Sequence, residues 1–290
     1  METSSDRALC AYDGVVEFEC SETWPPELRA LFEREIAYLE AYELRRAEVD
    51  AICREDVIAR INPPENCHRP RREKVVQQAD SILAGQTLLG FHCTRLRSVE
   101  VVQIKASGLR PLDTALVRDR IAQAVAEGEL IQDIAELLLD SHQAEDNGRL
   151  GMTHFFNCRS ILVDEGDVGR LFRSWGGEAL YNSHESRDDT GPVLRGIGMP
   201  AIVVTAIPIP RLRTTTADTG ERFVWRFLAD RQVPIDQAPD IETCATEPVP
   251  AEMILEIITF ADCRFEQLTG CSTWRNRLVD KRDVRQISGG

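Results

Sequence analysis

Three short stretches put chemically able side chains where the surrounding pattern is apolar. The first is Phe91-His92-Cys93-Thr94, which ends a buried run and precedes a short helix closing on Gly108-Leu109. An imidazole there can serve as general acid, general base or hydrogen-bond partner. The second is Trp175-Gly176-Gly177-Glu178-Ala179-Leu180-Tyr181, where an aromatic anchor and a tight turn lead to a carboxylate and a phenol. The third is Pro250-Ala251-Glu252-Met253-Ile254-Leu255, where a carboxylate opens an apolar strand. Each taken alone has a structural alternative: a hydrogen-bonded rim histidine, an anchored turn, a solvated strand start.

Other chemistries fit less well. The chain has nine cysteines at scattered positions and no CxxC pair. Cys67-His68 is adjacent rather than at ligand spacing, so a zinc site is not expected. A Cys-His nucleophile is not supported at Cys93, because strand neighbours point to opposite faces. Cys158 with His154 or His184 is the remaining pairing of that kind. No GxGxxG or GxxxxGK[ST] loop is present; Gly166-Asp167-Val168-Gly169 and Gly196-Ile197-Gly198 fall short.

The elements that must position these residues change character along the chain. Ser21 to Glu27 reads as a helix start with prolines in the first turn. A helix is expected from Leu28 to about Ile61, broken by Asn62-Pro63-Pro64, and another over Arg71–Ala84. Residues 1–86 therefore form a helical N-terminal region, with one short strand at Val15–Phe18. From Gln86 strands appear: Thr87–Thr94, an edge at His154-Phe155-Phe156, Met199–Pro208 with its β-branched run Ala201–Ile207, a candidate at Phe223–Leu228, and Met253–Ile258 continuing to Phe260. Ser98–Ala106 reads as a short helix stopped by Gly108. Residues 114–142 are helical, divided near Gly128, and interrupt the strands as an insertion. This order predicts an α+β fold. The polar stretch 271–290 is expected to be a surface helix or tail.

Composition bounds the setting. The 290 residues carry a formal net charge of −14, which repels phosphate backbones at long range and favours a protein over a nucleic acid as macromolecular partner. The basic cluster Arg69, Arg71, Arg72, Lys74 reads as a solvated helix start. The cysteine usage fits a reducing cytosol rather than a disulfide framework. No basic-then-apolar leader and no 18-residue apolar run is seen, so neither a signal peptide nor a membrane span is expected.

The order and contexts of the three stretches resemble the ADP-ribosyltransferase superfamily, in its His-Tyr-Glu branch of diphtheria-toxin and poly(ADP-ribose)-polymerase type. Phe-His-Cys-Thr, a short helix and Ser-Gly-Leu-Arg-Pro look like its first motif. The segment ending at Tyr181 resembles the second, and Pro-Ala-Glu-Met-Ile-Leu-Glu-Ile the third. The likeness spans roughly residues 87–265; Cys93 stands where the family commonly has Gly. It implies a split β-sheet catalytic domain over 87–270 and NAD as substrate without a metal. It also implies mono-ADP-ribosyl transfer to a macromolecule, as in a bacterial effector or toxin with a cognate inhibitor or antitoxin. Glu252 would stabilise the oxocarbenium-like ribose and hold its 2′-hydroxyl. His92 and Thr94, with Cys93 between them, would hold ribose hydroxyls, and Arg95 and Arg97 the pyrophosphate. Tyr181, or else Trp175, would stack on nicotinamide. Glu178 is the rival carboxylate, and Glu256, inside the strand pattern, a poorer one. An NAD glycohydrolase on the same scaffold and a catalytically inactive interaction protein are the alternatives.

Overall fold

The computed structural model describes residues 12–214, 217–238 and 240–278. Helix α1, Pro26–Glu55, starts at the double proline and buries Leu28, Leu31, Phe32 and Leu39 along one stripe. The single helix expected to reach Ile61 is two. Asp56 leaves the helical conformation, and its side chain accepts the Ile58 N–H at 2.7 Å to cap α2, Val57–Ile61. Helix α3 spans Arg69–Leu83. Both long helices pack on α10, Thr219–Asp230, the segment expected as a strand at Phe223–Leu228. Its bulky residues satisfy a helical period as well as an alternating one: Phe223, Val224, Phe227 and Leu228 recur four apart. Aromatic contacts to the N-terminal region decide between the two, with Phe18 to Phe223 and Phe32 to Phe227 ring centroids 5.0 and 5.1 Å apart. The strand expected at Val15–Phe18 is a single bridge, Val16 to Leu88.

The class is α+β, with the helical region preceding one antiparallel sheet. The strands are β1 Thr87–Leu96, β2 Thr153–Phe156, β3 Met199–Pro208, β4 Leu212–Thr214, β5 Glu242–Ala245 and β6 Ile254–Thr259, in the order β4-β5-β2-β1-β3-β6. β1 and β3 pair along their whole length, from Thr87 opposite Pro208 to Leu96 opposite Met199. β1 and β2 share only one register pair, Phe91 opposite Phe156. The sheet is therefore two three-stranded halves that separate beyond Phe91. Gly90 permits the contact at the join: a Cβ there would lie 2.9 Å from Thr205 Oγ1 and 3.3 Å from Phe155 Cβ.

The remaining helices fall on either side. Helices α7, Asp167–Arg173, and α11, Cys263–Thr269, contribute Phe172 and Phe265 to a core with Leu89, Phe91, Cys93, Ile202, Val204 and Ile258. Trp274 and Leu278 join it, so this part of the expected polar tail is packed, while 279–290 lies outside the described residues. Helix α4, Ser98–Ser107, lies against the other face near Leu96, Ala201 and Val203. The expected insertion is α5, Thr114–Ala126, and α6, Gln132–Asp140. With α8, Glu178–His184, and α9, Gly191–Gly196, it builds its own apolar cluster around Trp175 and Leu180. No helix among the described residues is long and apolar enough to cross a membrane.

Candidate functional site

Where the sheet halves part, a cleft of about 960 Å³ opens between β1, β2, β5, α4, α5 and the 176–181 segment. That is at the upper end of the roughly 300–1,000 Å³ usual for small-molecule sites. His92 lines it from β1. Immediately beyond the last backbone pair, the His92 ring takes over the bridging: Nδ1 lies 3.0 Å from the His154 carbonyl oxygen on β2. A carbonyl only accepts, so Nδ1 carries the hydrogen and Nε2 is left as an acceptor. Burial pushes the imidazole down to about 4; the carbonyl bond opposes this, while nearby Arg120 and His154 add to it. The ring is neutral near pH 7. Register places Thr94, opposite Ala201, on the same face as His92, opposite Val203. Cys93 touches the cleft but packs in the opposite core, and burial drives its thiol far above the usual range.

The 175–181 stretch divides. Glu178 and Tyr181 line the cleft. The Tyr181 hydroxyl donates to Glu178 Oε1 at 3.3 Å, and Arg170 stacks 4.4 Å from the ring centroid. Burial, with Glu178 beside it, raises the phenol well above its ordinary range. Glu178 Oε2 is paired with Arg149 at 2.9 Å. Trp175 is fully buried behind this wall and does not line the cleft. Its indole donates to Glu100 Oε2 at 3.1 Å, with Arg120 stacked 4.8 Å from its ring. Its place is structural, which leaves Tyr181 as the aromatic that this stretch gives to the cleft, beside Phe155 and Phe156 of β2.

Four expected positions lie elsewhere. Glu252 is exposed on the turn Ala251–Met253 ahead of β6, outside the cleft lining. A carboxylate that opens a strand reaches a cleft only if the strand borders it, and β6 is the far edge of the sheet. Glu256, inside β6, is tied to Tyr12 and to Arg264. Arg95 is buried, donating to the carbonyls of Ile197 at 2.6 Å and Leu278 at 3.0 Å. Arg97 is equally buried and donates to Glu127 and Gln123. Neither arginine lines the cleft.

The cations that do are Arg110, Arg120, Arg149 and Arg170. Arg120 donates from Nε to Glu100 Oε1 at 2.7 Å. Burial alone would raise the Glu100 carboxyl, but Arg120, the Arg97 N–H and Trp175 together hold it below the usual range. Glu100 thus fixes the α4–α5 wall.

Two lining residues escaped sequence reasoning in this role. Glu242 opens β5, opposite Phe156, and so lies on the same sheet face as His154, the face opposite His92; both border the cleft at the split. It has no hydrogen bond or ion pair among the described residues. Burial, followed by Asp240, raises its carboxyl; His154 opposes this, and Asp167 adds to it. His154 was visible only as a partner for Cys158. That pairing has no support here, since burial pushes Cys158 up to about 12 and it lies in the N-terminal core. His184, the other partner, is locked between Thr190 Oγ1 and the Ser141 carbonyl. No signal marked Glu242: Glu242-Thr243-Cys244-Ala245 has no hydrophobic period, and its neighbours across the sheet are far away in sequence.

Among the described residues no group of three or more His, Cys, Asp or Glu could hold a metal ion. No family model, curated protein or solved structure matches the chain.

Proposed function

We propose that the chain is an NAD-dependent mono-ADP-ribosyltransferase acting in a cytosol, with a protein as acceptor. The observation that supports this best is a neutral His92 at the split of the sheet, in a cleft also lined by Tyr181, Glu178 and Glu242. In this reading His92 Nε2 accepts from a ribose hydroxyl, and the ring cannot compete as a cation for the carboxylate. Tyr181 presents its ring to nicotinamide from the opposite wall. Glu242 takes the role first given to Glu252. It sits among like charges, Asp240 and Asp167, which makes the wall receptive to a cation. As the nicotinamide bond lengthens, positive charge grows on the ribose, and a carboxylate already in place stabilises it without reorganisation. Glu178 is the weaker candidate because Arg149 already compensates it. The effector or toxin role, and an inhibitor that blocks the cleft, follow from the family likeness.

The test is incubation with NAD labelled in the adenylate half, with cell lysate, reading nicotinamide release and label on macromolecules. Glu242→Gln is expected to lose about 10²–10³-fold in rate, Glu178→Gln far less, and Glu252→Ala nothing. Loss in Glu252→Ala with full activity in Glu242→Gln would overturn the assignment of the carboxylate. Free ADP-ribose without labelled macromolecules would make the protein a glycohydrolase, and no nicotinamide release would sink the NAD chemistry altogether.

A further inference from the structure

Helix α1 outruns the core it packs on. Its buried residues end at Glu43, and none of 44–55 is buried. Helix α2 folds back against that free end. Its one buried residue is Ala59, whose carbonyl lies 3.3 Å from the Cys53 sulfur, while Arg60 donates to the carbonyls of Cys53 and Arg54. At about 100° per residue, Val57 and Ile61 fall on the side of α2 opposite Ala59, with Ile58 on its flank. These three are 64%, 81% and 76% exposed. Leu44 and Ile52 add two exposed apolar side chains from α1. Five of the ten large apolar side chains exposed among the described residues thus lie within 44–61. Such a concentration marks a surface that another molecule covers. A five-residue helix that buries only a methyl group gains little from its own chain.

The charges of the strip say what covers it. The chain as a whole carries −14, yet 44–61 holds four arginines against two glutamates and two aspartates, a balance of zero. Two copies of an acidic chain repel one another least where the charge is balanced. The charges nearest α2 are also unpaired. Arg54 and Arg60 donate only to backbone carbonyls, and Asp50, Glu55 and Asp56 form no ion pair among the described residues. Free charges of both signs around apolar side chains make the strip complementary to itself. A two-fold axis through it sets the cations of one copy against the anions of the other and covers the apolar side chains of both. An anionic bilayer gains no attraction from a strip without net positive charge. We propose that 44–61 is the interface of a two-fold dimer of this chain. None of the residues named here lines the cleft, so the proposal does not rest on the transferase function.

The experiment is sedimentation equilibrium of the full chain, which is expected to show a monomer–dimer equilibrium. Ile58→Asp/Ile61→Asp changes two side chains too exposed to hold the fold. It is expected to raise the dissociation constant at least about tenfold, with an unchanged far-ultraviolet circular dichroism spectrum. Ile131→Asp, at a likewise exposed apolar position outside the strip, leaves the constant as it was. Arg54→Glu/Arg60→Glu and Asp50→Arg/Glu55→Arg each lose self-association, and mixing the two restores a dimer. A wild type that stays monomeric up to about 100 μM overturns the proposal. So does a dimer that Ile58→Asp/Ile61→Asp leaves intact, one that Ile131→Asp dissolves as well, or a mixture of the charge variants that stays monomeric. A monomer that floats with phosphatidylserine-containing vesicles, and loses that binding in Ile58→Asp/Ile61→Asp, overturns it in favour of a membrane contact.

Discussion

Burial and the Arg120 guanidinium hold the His92 imidazole near 4, below the roughly 6.5 of a free histidine. Between these values the unfolded chain binds a proton that the folded chain refuses. Stability is therefore highest above about 6.5, declines as pH falls toward 4, and the loss is complete below 4. Urea denaturation of wild type and His92→Gln across pH 7.5 to about 4 should show a steeper decline in wild type, by at most one proton in the slope. Parallel profiles would mean that the ring is solvated. The same neutrality makes Nε2 an acceptor, which is what a ribose hydroxyl needs. His92 shows how the backbone sets side-chain chemistry: the His154 carbonyl on β2 chooses its tautomer.

At the scale of elements, the cleft exists because β1 leaves one neighbour while keeping the other. Its ten residues stay paired to β3, but only Phe91 meets β2. The α4 helix then has to turn back sharply to wall the opening, and it does so at Gly108, whose φ is 82°. A Cβ there would lie 1.9 Å from the Val249 carbonyl oxygen. That carbonyl is part of a two-way bridge with Leu109, whose N–H donates at 2.8 Å and whose carbonyl accepts the Val249 N–H at 2.9 Å. Gly108→Ala combines a disfavoured backbone conformation with a backbone clash. It is expected to destabilise the fold by more than about 2 kcal/mol and, under the proposed function, to weaken NAD binding, because Gly108 and Leu109 line the cleft. Chemical denaturation and calorimetry measure the two effects, and an unchanged midpoint would contradict the packing described here.

At the scale of the molecule, the N-terminal helices are part of the core that carries the sheet. Leu28, Phe32, Leu39 and Leu83 are buried in one cluster with Phe223, Phe227, Leu228 and Ile209. The α3–α10 contact is sealed by Asp80 accepting the Gly220 N–H at 2.7 Å and by the ion pair of Arg72 with Glu221. Without residues 1–86, α10 would expose its aromatic face. A fragment 87–290 is therefore expected to aggregate or to lose cooperative unfolding, as judged by near-ultraviolet circular dichroism and a thermal scan. A soluble fragment that melts in one transition would show instead that the sheet region folds alone. The net charge of −14 extends into the cleft, where Arg110, Arg120, Arg149 and Arg170 are set against Glu100, Asp119, Asp167, Glu178 and Glu242.

The sequence by itself determined the α+β class, the helical start, the ten-residue β3 strand and the stop of α4 at Gly108. Each rests on a long period of burial or on a residue with restricted conformation, and both are local properties. It also singled out His92, Glu178 and Tyr181, whose polarity stands out against apolar neighbours. Only the tertiary structure decided that Phe223–Leu228 is a helix, since its pattern satisfies both periods until α1 and α3 cover one side. Only the tertiary structure moved Glu252 to the surface and brought Glu242 and His154 into the cleft. The short strands β4 and β5 carry no readable period, and register between strands distant in sequence depends on partners that no local window contains.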